Sequence, residues 1–374
     1  MRNNNRVCGK NKPSEGGMKL LKNVLHKGAL CDIGIEDGRI AAIAAAGELS
    51  GEGCDFGGAK VYPGLIDTHT HGCIGHDTMD RDLAEMSEYY LKNGVTTWYP
   101  TTMTVSGEDI IAATRVDLSN IGGANIPGFH LEGPFINVKY KGAQNERFVV
   151  APDMELISKC DKVKKITVAP EVEGAMEFIR ECKRLGIVVS VGHSTCDYET
   201  AADAFKAGAT CLTHTYNCMS PLHHRAPGPI PAGAEGGAYA ELICDGIHVH
   251  PAMVRLLVKL YGSERIVLVS DSVRAAGLED GVYDLGGLDI TVKGGVARTK
   301  DGNLAGSTAN LLYCVKRAIE FGIPEERAFM MATANPARLM GLDKKGKIEV
   351  GCDADIIVLD NELNLKKVIV RGEL

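Results

Sequence analysis

Several features that would place a chain of 374 residues at a glance are missing from this one. No apolar stretch approaches the roughly 20 residues needed to cross a bilayer, so no membrane is expected as a partner. No run of Lys and Arg stands out, and 41 basic against 48 acidic side chains leave a formal charge of −7. That excludes the basic track that nucleic acid requires, while a few well-placed cations could still meet a small anionic substrate. There is no Cys-x-x-Cys pair among the 12 cysteines and no secretory hydrophobic region before them. They read as buried thiols of a reducing cytosol rather than as disulfide staples, and the expected location is cytoplasmic.

What is present is apolar material in quantity: 45% hydrophobic and 24% charged residues describe a folded, soluble protein. The length exceeds one ordinary domain, yet a barrel of alternating strands and helices absorbs about 250 residues as a single unit. Residues 1–17 are polar, Asn-rich and patternless, and are read as a disordered leader outside the fold. From residue 18 to 61 short alternating strands and tight turns follow, such as Glu36-Asp37-Gly38, and residues 345–374 repeat that character. The two ends are expected to pair into one small discontinuous β-sandwich. Between them, residues 62–344 alternate apolar strands with helical stretches, the signature of a parallel sheet with crossover helices. Strands are read at 65–67, 95–99, 126–131, 165–169, 188–191, 211–213, 239–243 and 266–269. Eight of them imply an α/β fold, a closed (β/α)8 TIM-like barrel. Helices at 83–92, 175–185 and 198–206 each stop at a glycine, the last barrel helix covers 308–320, and a Gly-rich stretch at 282–298 is expected to be an inserted hairpin. The Pro/Gly-rich segment 221–237 is read as a long loop at the active-site mouth or a subunit contact.

In such a barrel the C-terminal strand ends converge on one face, and here those ends are polar. The first strand finishes in His69-Thr70-His71, the third in Glu132, the fifth in His193, the sixth in His214 and the eighth in Asp271. Two histidines spaced i, i+2 leave the same face of an extended strand and can grip one cation. Glu132, His193 and His214 complete an N,O donor set that suits zinc or ferrous iron with a position open for water. One or two divalent ions per subunit are therefore expected. Taken singly, each of these residues is more often a hydrogen-bonded rim histidine or a solvated strand-end acid; it is the set that points to metal. Asp271, closing an apolar β run, is placed to take a proton from water at the metal and pass it to a departing amine.

The barrel with this ligand pattern resembles the amidohydrolase superfamily. His130-Leu131-Glu132-Gly133-Pro134-Phe135, Gly192-His193-Ser194, Thr213-His214-Thr215-Tyr216-Asn217-Cys218-Met219 and Asp245-Gly246-Ile247-His248 narrow the resemblance to the N-acetylglucosamine-6-phosphate deacetylase family. The resemblance covers the chain from Met18 onward. It implies hydrolysis of N-acetyl-D-glucosamine 6-phosphate to glucosamine 6-phosphate and acetate, in amino-sugar catabolism. Glu132, His193 and His214 would hold the main ion, with His69 and His71 available to a second, and Asp271 would be the catalytic acid/base. Sugar contacts would come from Ala143, Gln144, Asn217, Cys218, His248 and the backbone of Leu304, Ala305 and Gly306. Arg225 would reach the phosphate of the neighbouring active site in a homodimer, consistent with the strength of an Arg–phosphate fork.

Gln144 stands where other members carry His, and Cys218 where a small residue is usual. Alternatives within enzymes are a deacetylase for N-acetylgalactosamine 6-phosphate, or an amidohydrolase acting on a cyclic amide. Against the cyclic-amide reading, no Lys ends the fourth strand, where Val168-Ala169-Pro170-Glu171 stands instead. A scaffold that had lost its chemistry would be expected to lack ligands that this chain retains.

Overall fold

The computed structural model describes residues 17–373. The leader read over residues 1–17 therefore lies outside the described residues, save Gly17. Eight parallel strands form one sheet in sequence order: Leu65–Thr70, Val95–Thr102, Phe129–Glu132, Val163–Val168, Val188–Val191, Cys211–Leu212, Tyr239–Ile243 and Ile266–Val269. Backbone bonds from Asp271 N–H to the His69 carbonyl (2.9 Å) and from His71 N–H to the Ser272 carbonyl (2.8 Å) close the eighth strand onto the first. The strands are buried on both faces, which is why they read as continuous apolar runs rather than as alternation.

Differences from the sequence expectation have local causes. The third strand starts at Phe129 rather than 126, because Pro127 has no N–H to give the ladder. The first strand runs on to Thr70, so His69 is held within a ladder instead of on a loop. Helices occupy Ala84–Lys92, Ala175–Arg184 and Tyr198–Ala207, close to the expected spans, and the Asp197 carboxylate caps the last by accepting from Thr200 N–H at 2.8 Å. Segment 221–237 is only partly loop. Pro229–Glu235 is a helix, since Pro229 and Pro231 fall in its first turn, where a missing N–H costs nothing. Two helices after the barrel, Glu325–Ala332 and Ala334–Leu339, had no reading in the sequence.

The inserted hairpin is a three-stranded antiparallel sheet, Gly281–Leu285, Leu288–Lys293 and Val296–Thr299. Its buried Leu285, Ile290, Val292 and Ala297 cluster with Met103 and Val273, which seats it over the C-terminal end of the barrel. Chain ends meet as expected: Lys19–His26, Ala29–Glu36, Arg39–Ala45 and Glu52–Pro63 join Ile356–Leu359 and Leu365–Ile369 in one six-stranded sheet. Leu21, Val24, Ile33, Val61, Ile356 and Val358 give that unit its own core. It is fastened to the base of the barrel by Tyr62 stacked on Phe329, with ring centroids 3.6 Å apart, and by Lys60 and Tyr62 bonding Glu325 at 2.7 and 2.6 Å.

Candidate active site

At the opposite end, the C-terminal strand ends bring Glu132 within reach of four imidazoles. Glu132 Oε1 lies 2.9 Å from His214 Nε2, 3.1 Å from His193 Nε2 and 3.2 Å from His69 Nε2, while Oε2 lies 3.1 Å from His71 Nε2. Asp271 Oδ1 sits 3.4 and 3.3 Å from the Nε2 atoms of His69 and His71. Two overlapping donor groups result, His69/His71/Glu132 and Glu132/His193/His214, each with its donor atoms within 4.8 Å of one another and each buried.

The opposite ring nitrogens decide what these contacts are. His193 Nδ1 donates to the Tyr140 carbonyl (2.8 Å), His71 Nδ1 to the Thr101 carbonyl (3.1 Å) and His69 Nδ1 to the Glu241 carboxylate (3.0 Å). Acceptors that cannot donate force the proton onto Nδ1 of each neutral ring, so each Nε2 presents a lone pair to carboxylate oxygens. His193 Nε2 also faces His214 Nε2 at 3.1 Å. Acceptors packed against acceptors at hydrogen-bond distance repel unless a proton or a cation lies between them, and His69 Nε2 is a buried atom with no hydrogen-bond partner. The residues therefore fit a divalent cation, as structural chemistry as well as by donor type.

Electrostatics point the same way. Burial would raise the Glu132 carboxyl, but the His69 and His193 imidazoles outweigh it and hold it well below the usual carboxylate range. Asp271 is lowered likewise against its burial, by His69 and His71, and stands ionised. Burial would lower the two first-strand imidazoles, yet Glu132 and Asp271 bring His69 to about 9 and His71 to about 10. Protons and a cation compete for these lone pairs.

The backbone is strained where the site needs reach. His193 (φ 48°), His214 (φ 26°) and Asp271 (φ 48°) all take left-handed conformations uncommon outside glycine, and such outliers gather at functional sites. Gly142 has φ 58° and passes so close to Cys218 that a Cβ would lie 2.6 Å from its Sγ, which leaves glycine as the residue that fits.

A cavity of about 340 Å³ opens above the ligands. His71, Glu132, His193, His214 and Asp271 form its floor, and Ala143, Gln144, Asn217, Cys218, His248, Leu304 and Gly306 lie in its walls. Ala305 is buried behind the wall and gives its N–H to the Ala297 carbonyl at 3.1 Å. Gln144 is turned inward, donating to Glu132 Oε2 (2.6 Å) and accepting from Thr104 N–H (2.7 Å). Arg225 does not line the cavity; it is exposed on the loop before the Pro229–Glu235 helix, with its guanidinium 2.7 Å from His224 Nε2.

Some residues of the site had no role assigned to them in the sequence reading. Asp245 accepts from His248 Nδ1 (2.7 Å) and from the His248 and Ile247 N–H groups, aiming the other ring nitrogen at the cavity. Glu241 and Lys165 lie beneath the floor, fully buried and paired with each other. A Glu inside Tyr-Ala-Glu-Leu-Ile and a Lys inside Val-Lys-Lys-Ile-Thr-Val were the available signals, since charge inside a doubly buried sheet demands a partner. Lys139, in the single 3-10 turn Val138–Tyr140 after the third strand, also lines the cavity.

Comparison with known proteins agrees with this geometry. The amidohydrolase family model matches residues 61–374. N-acetylglucosamine-6-phosphate deacetylase of Bacillus subtilis is 36% identical over 91% of this chain and 92% of its own length. N-acetylgalactosamine-6-phosphate deacetylase of Escherichia coli O157:H7 is 37% identical over 83% of this chain and 86% of its own. Among solved structures, that of an aspartate-to-alanine variant of the Mycobacterium smegmatis N-acetyl-D-glucosamine-6-phosphate deacetylase, in complex with N-acetyl-D-glucosamine-6-phosphate, superposes with a TM-score of 0.88 at 33% identity, covering 95% of this chain and 98% of that one. The barrel, the converging donors at its mouth and these likenesses together make the chain a member of the amidohydrolase family and, within it, of the N-acetylglucosamine-6-phosphate deacetylase family.

Proposed function

We propose that this enzyme hydrolyses the amide of N-acetyl-D-glucosamine 6-phosphate, releasing acetate and glucosamine 6-phosphate. The observation that carries the reading is Glu132 meeting His69, His71, His193 and His214 on one buried floor with Asp271 beside them.

Glu132, His193 and His214 would hold the main divalent ion, and His69 and His71 with Glu132 a second; the N,O donor set favours zinc or ferrous iron. Such a cation, when bound, supplies Lewis acidity that polarises the acetyl carbonyl and brings the pKa of water from 15.7 toward about 7. Asp271, ionised and 7% exposed, takes the proton of the attacking water and returns it to nitrogen as the C–N bond breaks. His248, steered by Asp245, hydrogen-bonds the sugar or the oxygen on which charge develops. Gln144 holds Glu132 in place from the side. Ala143, Asn217, Cys218 and the backbone at Leu304, Ala305 and Gly306 frame the sugar.

A phosphate of charge near −2 needs cations, and Lys139 is the one Lys or Arg among the described lining residues. Arg225, exposed and outside its own cavity, is proposed to reach the partner's cavity in a homodimer. Residues 18–61 with 345–374 are proposed as one domain and 62–344 as the catalytic one. A cytoplasmic location is proposed because the buried Cys73, Cys182, Cys196, Cys211, Cys244 and Cys314 are free thiols; among the described residues no helix is long and apolar enough to cross a membrane.

Acetate release from a panel of N-acetyl sugars, with and without 6-phosphate and including the galactosamine epimer, tests the reading on protein of measured metal content. Fastest turnover of the glucosamine 6-phosphate derivative supports it. Equal turnover without phosphate, or none with metal bound, overturns it.

A further inference from the structure

Glu241 and Lys165 come from the seventh and fourth strands, which are not neighbours in the sheet, and meet in the barrel interior with both side chains 0% exposed. Burying a carboxylate and an ammonium together costs about as much as their attraction returns, and apolar side chains of similar volume often serve stability as well or better. A pair kept under those terms invites a reason other than stability, and the carboxylate's other bonds supply it. Glu241 Oε2 accepts from His69 Nδ1 (3.0 Å) and from the backbone N–H of His214 (3.2 Å), while Oε1 accepts from Thr68 Oγ1 (3.3 Å) and from Lys165.

One carboxylate thus touches both donor groups. Among the four imidazoles, His71 and His193 rest on neutral carbonyls, and His214 Nδ1 is buried without a partner. His69 alone rests on a carboxylate, and its Nε2, also buried and without a partner, points into the cluster. We infer that Glu241 is a positioning residue for the His69/His71/Glu132 ion: it fixes His69 as the Nδ1–H tautomer, aims Nε2 at the cation, and pins the strand end that carries His214. Lys165 occupies Oε1 and neutralises the buried charge, which leaves Oε2 free for His69 and His214. This inference rests on the proposed two-ion site and deepens it.

The pair can be removed as a unit, so that neither charge is left alone. In Lys165→Met/Glu241→Met the metal-free protein should melt somewhat lower than the wild type, because His69 Nδ1–H and the His214 N–H lose their acceptor, so the positioning role is read from metal affinity and not from stability. Affinity for the second equivalent of Zn2+, titrated with the metal alone and counted by elemental analysis, should weaken about 10–100-fold. The first equivalent should weaken less, because Glu241 reaches His214 only through its backbone N–H. Lys165→Met/Glu241→Gln, which restores an oxygen to receive the His69 N–H, should recover most of that loss and serves as the second test if the first variant folds poorly. Unchanged second-ion affinity in both variants overturns the positioning role while leaving the deacetylase reading intact. A wild type that binds a single equivalent also overturns it, and one that binds none removes the metal reading as well.

Discussion

The two ends of the barrel carry similar residue types and opposite chemistry. At the base, Lys60 and Tyr62 give hydrogens to Glu325 at 2.6–2.8 Å, every donor meets an acceptor, and the pair is partly wet, with side chains 23% and 30% exposed. At the mouth, imidazole Nε2 atoms face carboxylate oxygens at 2.9–3.2 Å in a setting where Glu132 is 3% exposed. The base is a fastening, complete in itself. The mouth is complete only when positive charge joins it, and that incompleteness distinguishes a site from a salt bridge.

The largest effect should come from the oxygen that both donor groups share. Glu132→Ala should bind neither ion with measurable affinity and show no metal-dependent turnover, while elemental analysis of the base variant Lys60→Met finds metal as in the wild type. Asp271→Asn comes next: turnover should fall by about 10²–10⁴-fold with metal content intact, because a proton acceptor is lost and the His, Glu donors are kept. Metal loss in that variant would move Asp271 from proton transfer to ligation. Asp245→Ala frees the His248 ring, and a misplaced contact of this kind costs on the order of 10²-fold in kcat, read by steady-state kinetics at unchanged metal content.

The contrast also has a pH signature. His69 and His71 stand at about 9 and 10 against an unperturbed 6.5, so their protons stabilise the metal-free fold fully below about 6.5, and this support is lost as pH rises through 9 to 10. A cation must displace those protons, so zinc affinity should climb with pH from 6 to 9 while the melting temperature of the metal-free protein declines. A flat affinity would break the comparison. The smallest effect belongs to the base: Lys60→Met should cost roughly 1 kcal/mol or less in denaturant unfolding, given its solvent screening.

The sequence displayed the part of this architecture that has a local pattern. Eight apolar runs, their glycine-stopped helices and the polar residue ending each key strand put His69, His71, Glu132, His193, His214 and Asp271 on one rim by pattern alone. Tertiary pairing had no such trace. Glu241 and Lys165 lie on strands three apart in the sheet, and nothing near either residue announces the other. Gln144 read as a wall residue because only the fold shows it turning its amide toward Glu132. The Ala334–Leu339 helix was hidden by Pro336, which sits in a first turn where its missing N–H has no helical partner to lose. The left-handed backbone at His193, His214 and Asp271 is likewise a consequence of where those strands end rather than of residue type.

The most direct measurement is anomalous diffraction at the zinc edge from crystals of the metal-loaded protein. A peak is expected about 2.0–2.2 Å from a Glu132 oxygen and from the Nε2 atoms of His193 and His214 together. Zinc bound at one equivalent with its peak away from those three residues would contradict it.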